Sequence, residues 1–326
     1  MTVGRAFWVF ALVGSAQAAW ILQDTHSTAG LRGIHNLGNG IAWASGTGGT
    51  VLRTTDGGQT WQACAVPPDA AKLDFRAVQA FDANSAIVMS AGTGDLSRLY
   101  KTTDGCRSWR LIFSNPDKQG FWDGLQFSGP EFGALIGDPV SGRFPVFITT
   151  DRGETWKRQE IDAAKNQSLF AASNTSLRIG DDRTLYVVTG GGTTAIIAEG
   201  VSSRLPLAEG EAAGAFSLGM RKAGGKLILV AVGGDYKLPD ETAGTAANRD
   251  AEGVWHAAEA PPHGYRSAVA YDAASKSWIA VGTNGTDISM DDGRNWKPVP
   301  ESQTGWNALS LPFAAGSKGR IAKWQP

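Results

Sequence analysis

Short apolar runs of strand length, separated by turns rich in Gly, Asp, Asn and Thr, recur along almost the whole chain. Between residues 75 and 113 they read as four strands, Phe75 to Phe81, Ser85 to Ala91, Arg98 to Thr103 and Trp109 to Phe113. The last two flank a polar turn, TTDGCRSW at 102–109, and the same pattern returns as TTDGGQTW at 54–61, TTDRGETW at 149–156 and SMDDGRNW at 289–296. The terminal tryptophans Trp61, Trp109 and Trp156 lie about 47 residues apart, and Trp296 falls three such periods beyond Trp156. Two degenerate copies are therefore expected in between. One is NRDAEGVW at 248–255, which keeps Asp250, Gly253 and Trp255; the other, near TTAIIAEGVSSRLPL at 193–207, has lost its Asp and Trp. In such a turn the Asp carboxylate accepts backbone N–H groups, Gly supplies a positive φ and Trp packs over the result.

Four strands per period are the unit of a propeller blade. Six full units leave a partial one, for which Trp306 to Trp324 supply inner strands and Trp20 to Thr25 the outermost. Closure by both termini removes an open sheet edge. The expected fold is thus all-β, a seven-bladed β-propeller occupying residues 19–326 as a single domain.

Composition narrows the function classes. The chain has 326 residues, 42% of them hydrophobic, with 42 Gly and 12 Trp, which suits many short strands. A formal net charge of −1 without a basic run argues against a nucleic-acid partner. Residues 1–18 carry one positive charge at Arg5, an apolar run from Ala6 to Val13 and Ala16-Gln17-Ala18, the form of a signal peptide cleaved after Ala18. The run is too short to span a bilayer. The remainder is expected as a monomer in the periplasm or outside the cell, with no membrane span. Cys64 and Cys106 either pair in that oxidising compartment or sit as separate small residues; both readings stand.

Strand order makes the two faces of the ring distinguishable. The polar turns join third and fourth strands, so they lie opposite the loops that join second and third strands and the starts of the first strands. Aligning the inner strands gives LRGI at 31–34, FRAV at 75–78, WDGL at 122–125, YRSA at 265–268 and WNAL at 306–309. The second position holds Arg32, Arg76, Asp123, Arg266 and Asn307, expected as an arc at one mouth of the channel. Converging guanidinium groups suit a carboxylate, sulfate or phosphate, or an acidic protein loop. Equally, each Arg can pair with a neighbouring carboxylate and hold blades in register. The loops GDPVSGR, GGDYK and GTNGTD add Asp138, Arg143, Asp235, Tyr236, Asn284 and Asp287 to the same face.

The eight-residue turn resembles the Asp box of the BNR-repeat superfamily, a structural turn. That resemblance makes Asp56, Trp61, Asp104, Trp109, Asp151, Trp156, Asp291 and Trp296 structural residues. It also invites comparison with sialidases, for which Arg32, Arg76 and Arg266, with Asp123 or Asp138 and Tyr236 or Tyr265, are candidates. The N-terminal Arg-Ile-Pro motif of sialidases is missing, and Arg204-Leu205-Pro206 falls in a degenerate blade. A two-carboxylate glycosidase could draw its acid and base from Asp123, Asp138 and Asp235. His26, His35, His256 and His263 lack metal-ligand spacing, and no GxSxG elbow, P-loop or dinucleotide fingerprint occurs, so no metal or cofactor is expected. Over the whole chain the sequence resembles the photosystem II stability/assembly factor-like propellers. The resemblance implies a non-enzymatic scaffold whose arginine-bearing channel face holds a protein client, the alternative being an anionic or carbohydrate ligand.

Overall fold

Seven antiparallel sheets form the ring in the computed structural model, which describes residues 18–300 and 303–326. The first blade is Leu31–Gly38, Ile41–Gly46, Val51–Thr54 and Gln62–Ala63, and the second is Phe75–Ala80, Ala86–Ser90, Arg98–Thr102 and Arg110–Ser114. Trp122–Ser128, Phe132–Gly137, Arg143–Thr149 and Lys157–Asp162 make the third; Leu177–Ile179, Leu185–Val188, Ala195–Ala198 and Val201–Arg204 the fourth. The fifth is built on two long strands, Gly210–Ala223 and Lys226–Asp235, followed by Ala246–Arg249 and Trp255–Ala257. Ala268–Asp272, Ser277–Gly282, Gly285–Ser289 and Lys297–Pro298 form the sixth. The strands expected for the second blade are all present, with ends displaced by only one or two residues. Most of the expected signal segment, residues 1–17, lies outside the described residues.

The seventh blade takes Trp306–Ser310, Phe313–Gly316 and Ile321–Gln325 from the C-terminal end and Ala19–Gln23 from the N-terminal end. Ala19 pairs with Gln325 and Gln23 with Ile321, so the clasp is antiparallel and in register throughout. The Trp20 ring packs at a tilt against Trp324 and Trp306, with centroids 4.9 Å and 5.6 Å away, and its indole N–H donates to Thr286 Oγ1 in the sixth blade at 2.9 Å. One side chain thereby fastens both termini to the preceding blade.

Four of the turns between third and fourth strands share one wiring. Asp56 Oδ1 accepts from Thr60 N at 3.0 Å and Thr54 Oγ1 at 2.8 Å, while Oδ2 accepts from Thr60 Oγ1 at 2.6 Å. Asp104, Asp151 and Asp291 repeat it with Ser108, Thr155 and Asn295. These donors hold the Asp56, Asp104 and Asp151 carboxyls down to about 2, because the hydrogen bonds favour the charged form. Trp61, Trp109 and Trp296 are buried beside their turns and Trp156 half-buried. The degenerate fifth-blade turn keeps one bond, Val254 N to Asp250 Oδ1 at 2.8 Å. In the fourth blade the box has shrunk to Glu199-Gly200, both at positive φ (52° and 76°), a two-residue hairpin that needs no carboxylate. Gly57 N donates to Gly40 O at 2.9 Å, so the boxes share a face with the turns between first and second strands.

Cys64 and Cys106 are joined, with Cα atoms 5.3 Å apart, so the end of the first blade is stapled to the box of the second. Trp109 closes the same seam by donating to Ala65 O at 2.9 Å.

The terminal clasp makes a direct expectation. Deleting residues 19–26 removes Trp20 and every main-chain bond to Ile321–Gln325, leaving a bare edge. The deleted protein is expected to aggregate or melt well below the intact chain in a thermal scan with light scattering; an unchanged melting temperature in a monomeric product contradicts the clasp.

A mixed-charge cavity at the channel mouth

Five inner strands share one irregularity, at the start of the strand in four of them and inside the long fifth-blade strand. The register against the second strand slips between Leu31 and Gly33, Phe75 and Ala77, Trp122 and Gly124, Ala215 and Ser217, and Trp306 and Ala308. Each slip leaves out one residue: Arg32, Arg76, Asp123, Phe216 and Asn307. A β-bulge re-aims a side chain that regular pleating would turn into the blade. The preceding residues Leu31, Phe75, Trp122 and Trp306 are fully buried between blades. All five bulge residues line one cavity of about 1130 Å³ at the channel mouth. Asp138, Tyr236 and Thr283, from loops between second and third strands, line it too.

Arg266 is not on this arc. Ala268 pairs with Val281 as Ala308 pairs with Ala315, so Arg266 holds the place of Trp306 and Ser267 that of Asn307. The expected alignment was one residue out, and in a strand one residue exchanges the two faces. Ser267 lines the cavity, whereas Arg266 is fully buried in the sixth blade. Its Nε donates to Asp287 Oδ2 at 2.7 Å and its Nη1 to Asn284 Oδ1 and Tyr265 O, each at 2.6 Å. Asp287 Oδ1 lies 2.9 Å from His263 Nδ1, and Asn284 Nδ2 donates to Pro239 O at 2.9 Å. Asn284 and Asp287, expected on the open face, are absorbed by this network. Arg143 pairs with Glu160 and Asp162 away from the cavity, and Asp235 caps Lys237 N at 2.8 Å without lining it. Of the three carboxyls considered for acid–base work, the structure therefore brings together Asp123 and Asp138 alone.

The cavity has three chemically different walls. Arg32 and Arg76 form the cationic one. Arg76 is engaged, its Nε donating to Asp74 at 2.8 Å and its Nη1 to Ala171 O at 2.9 Å. Arg32 Nε is buried without a hydrogen-bond partner among the described residues. Burial, and then the Arg76 charge, lower the Arg32 pKa. Asp123 and Asp138 form the acidic wall. Asp123 is 2% exposed, and its Oδ2 likewise lacks a partner among the described residues. Burial, then the neighbouring Asp138, push Asp123 well above the usual carboxylate range, and burial raises Asp138. The third wall is aromatic: Phe170 stacks on Phe216 at 4.0 Å, Tyr265 meets Phe216 edge-on at 4.8 Å, and Tyr236 stands 47% exposed beside them.

Residues 163–172 cross this face as a strap. Leu169 N donates to Asp138 Oδ1 at 2.9 Å, and Gln167–Ser168 pair with Gly190–Gly191, which in turn join the fifth blade. Sequence reasoning missed the strap and Phe216. Phe216 was within reach, since Ala215-Phe216-Ser217-Leu218 lies two repeat periods after Trp122-Asp123-Gly124-Leu125. The strap follows no repeat and carries no motif.

Fold and mouth together define an Asp-box propeller with a bulge-built cavity. The chain belongs to the photosynthesis system II assembly factor YCF48 family, whose model matches residues 15–323. Among solved structures it is similar to YCF48 bound to D1 peptide (18% identity, TM-score 0.64, covering 96% of this chain and 98% of that one). It is similar to YCF48 from Cyanidioschyzon merolae at 20% identity and TM-score 0.64, covering 94% and 99%. A GH74 xyloglucanase from Xanthomonas campestris shares the fold at 16% identity and TM-score 0.62, covering 94% of this chain and 53% of that one. No curated protein matches the sequence.

Because Arg266 and Asp287 are a buried pair, removing one partner strands the other charge. Arg266→Ala is expected to cost roughly 3–5 kcal/mol in denaturant unfolding. A loss below about 1 kcal/mol, the range of an exposed pair, contradicts the buried assignment.

Proposed function

We propose that this protein is an exported, non-enzymatic scaffold that holds a protein client at the channel mouth bearing Arg32 and Arg76. Family membership supports a protein client, and a relative of the same fold has been solved with a D1 peptide bound. The observation that carries the reading is the buried Arg32 Nε, without a hydrogen-bond partner among the described residues, in a cavity of about 1130 Å³ with an aromatic wall. A buried guanidinium N–H without a hydrogen-bond acceptor is a costly feature that an acidic or carboxylate-bearing client repays. The residue run 1–18 supports export, which places the client in the periplasm or outside the cell. The chain acts as a monomer in this reading.

A second reading draws on the Asp123–Asp138 pair beside exposed Tyr236, a combination that also suits a saccharide. Two screens separate them. Affinity capture with gentle cross-linking from the periplasmic or secreted fraction is expected to recover a client with the wild type and to lose it with Arg32→Ala. Recovery of nothing, or the same recovery with the variant, counts against the scaffold. Turnover of aryl glycosides that disappears in Asp123→Asn establishes the alternative.

A further inference from the structure

The aromatic wall of the mouth is packed to a defined geometry. Phe216 leaves the fifth-blade ladder at its bulge and is 2% exposed, with Phe170 of the strap stacked on it at 4.0 Å and 9°. Glycines make room for that stack: a Cβ on Gly190 or on Gly214 would run into Phe170 Cε2. Tyr265 meets Phe216 edge-on, and Tyr236 stands nearly perpendicular to both stacked rings, 6.4 Å from Phe170 and 6.2 Å from Phe216. Tyr236 nevertheless remains 47% exposed where it lines the cavity. A half-exposed ring at the rim of a packed aromatic cluster offers apolar area that a further ring can cover.

The cationic wall adjoins this cluster on two sides. Arg76 Nη1 donates to Ala171 O at 2.9 Å, one residue along the strap from Phe170. Burial raises the pKa of the Tyr265 hydroxyl and the Arg32 charge opposes that rise, so Arg32 lies within electrostatic reach of the tyrosine that packs on Phe216. Arg32 Nε is the donor left without a hydrogen-bond partner among the described residues. A guanidinium can only donate, so the group it lacks is an acceptor, and a carboxylate is the one that also carries the opposite charge.

We propose that this corner of the mouth is a two-part anchor, in which Arg32 takes a carboxylate of the client and the Phe170–Phe216–Tyr236 cluster takes the aromatic side chain next to it. The partner is then a peptide with an aromatic residue adjoining either its free C-terminal carboxylate or an Asp or Glu. The proposal rests on reading this mouth as the client site and adds what the client must carry. The two parts reinforce one another: a ring laid against Tyr236 excludes water from the charged contact and so strengthens it, while the charged contact fixes where the ring lies. Phe170, Phe216 and Tyr265 are already packed in the free protein, so little side-chain freedom is lost when the ring arrives.

Two pairs of acetylated pentapeptides serve as probes. In one pair the last residue, with a free carboxylate, is Phe or Ala; in the other the end is amidated and an internal Asp is followed by Phe or Ala. Affinities are read by titrating the protein's amide resonances. At least one Phe peptide is expected to bind about tenfold more tightly than its Ala counterpart, and which pair shows the gap tells a chain end from an acidic side chain. Tyr236→Ala, at an exposed position, is expected to remove most of that gap and Tyr236→Phe to keep it, whereas Arg32→Ala weakens every peptide that binds. Equal affinity for Phe and Ala peptides, a gap unchanged in Tyr236→Ala, or no binding by any of the four overturns the anchor. Its failure is separable from failure of the scaffold reading. A client captured by cross-linking and lost with Arg32→Ala upholds the scaffold even where the peptides show no gap, and a Tyr236-dependent gap upholds the anchor even where no client is recovered.

Discussion

A ring of sheets has to close, and here the closing contact is the pairing of Ala19–Gln23 with Ile321–Gln325. Every inner strand packs its inter-blade residues against the next blade, so the positions of Leu31, Phe75, Trp122 and Trp306 depend on all seven blades being present. Five residue pairs between two strands are a small contact beside the whole, yet an open blade exposes both a sheet edge and the tryptophans behind it. Trp20 reinforces the pairing through Trp306, Trp324 and Thr286, so one side chain ties the closing blade to the sixth.

The mouth inherits its precision from that constraint through the bulges. Between an inner strand's buried first residue and its small third one, a single inserted residue turns toward the axis, and its identity can vary without disturbing the packing on either side. Arg, Arg, Asp, Phe and Asn occupy these places in the first, second, third, fifth and seventh blades, while the sixth blade supplies Ser267. Arg266 and Asp287 show what happens one residue away: the same chemistry, moved into the blade, becomes a sealed pair that serves the fold.

The fold was almost fully legible because its signal is repeated. Four copies of one turn, each with a carboxylate, a glycine-like position and a tryptophan at fixed offsets, set the period, and the period located the degenerate copies and the missing strand. The site was legible only in part. Arg32, Arg76, Asp123 and Asn307 were found because apolar residues flank them at the repeat spacing. Arg266 was misplaced because YRSA satisfies the pattern in two registers, and the pairing of Ala268 with Val281 selects one. The strap at 163–172 was invisible because it depends on contacts such as Asp138 with Leu169 N that no local pattern encodes. Cys64 and Cys106 were undecided for a similar reason: their seam joins two blades, and only the ring brings them together.

We propose the bulge-built mouth as the working surface and the Asp-box face as scaffold. Hydrogen–deuterium exchange of the purified protein with and without its captured client tests this most directly. Protection at the mouth, in the segments around Arg32 and Arg76 and in residues 119–123, 137–143 and 163–172, with the four Asp-box turns unchanged, is the expected result. Protection of the Asp-box turns or of the outer strands, with the mouth unaffected, contradicts it.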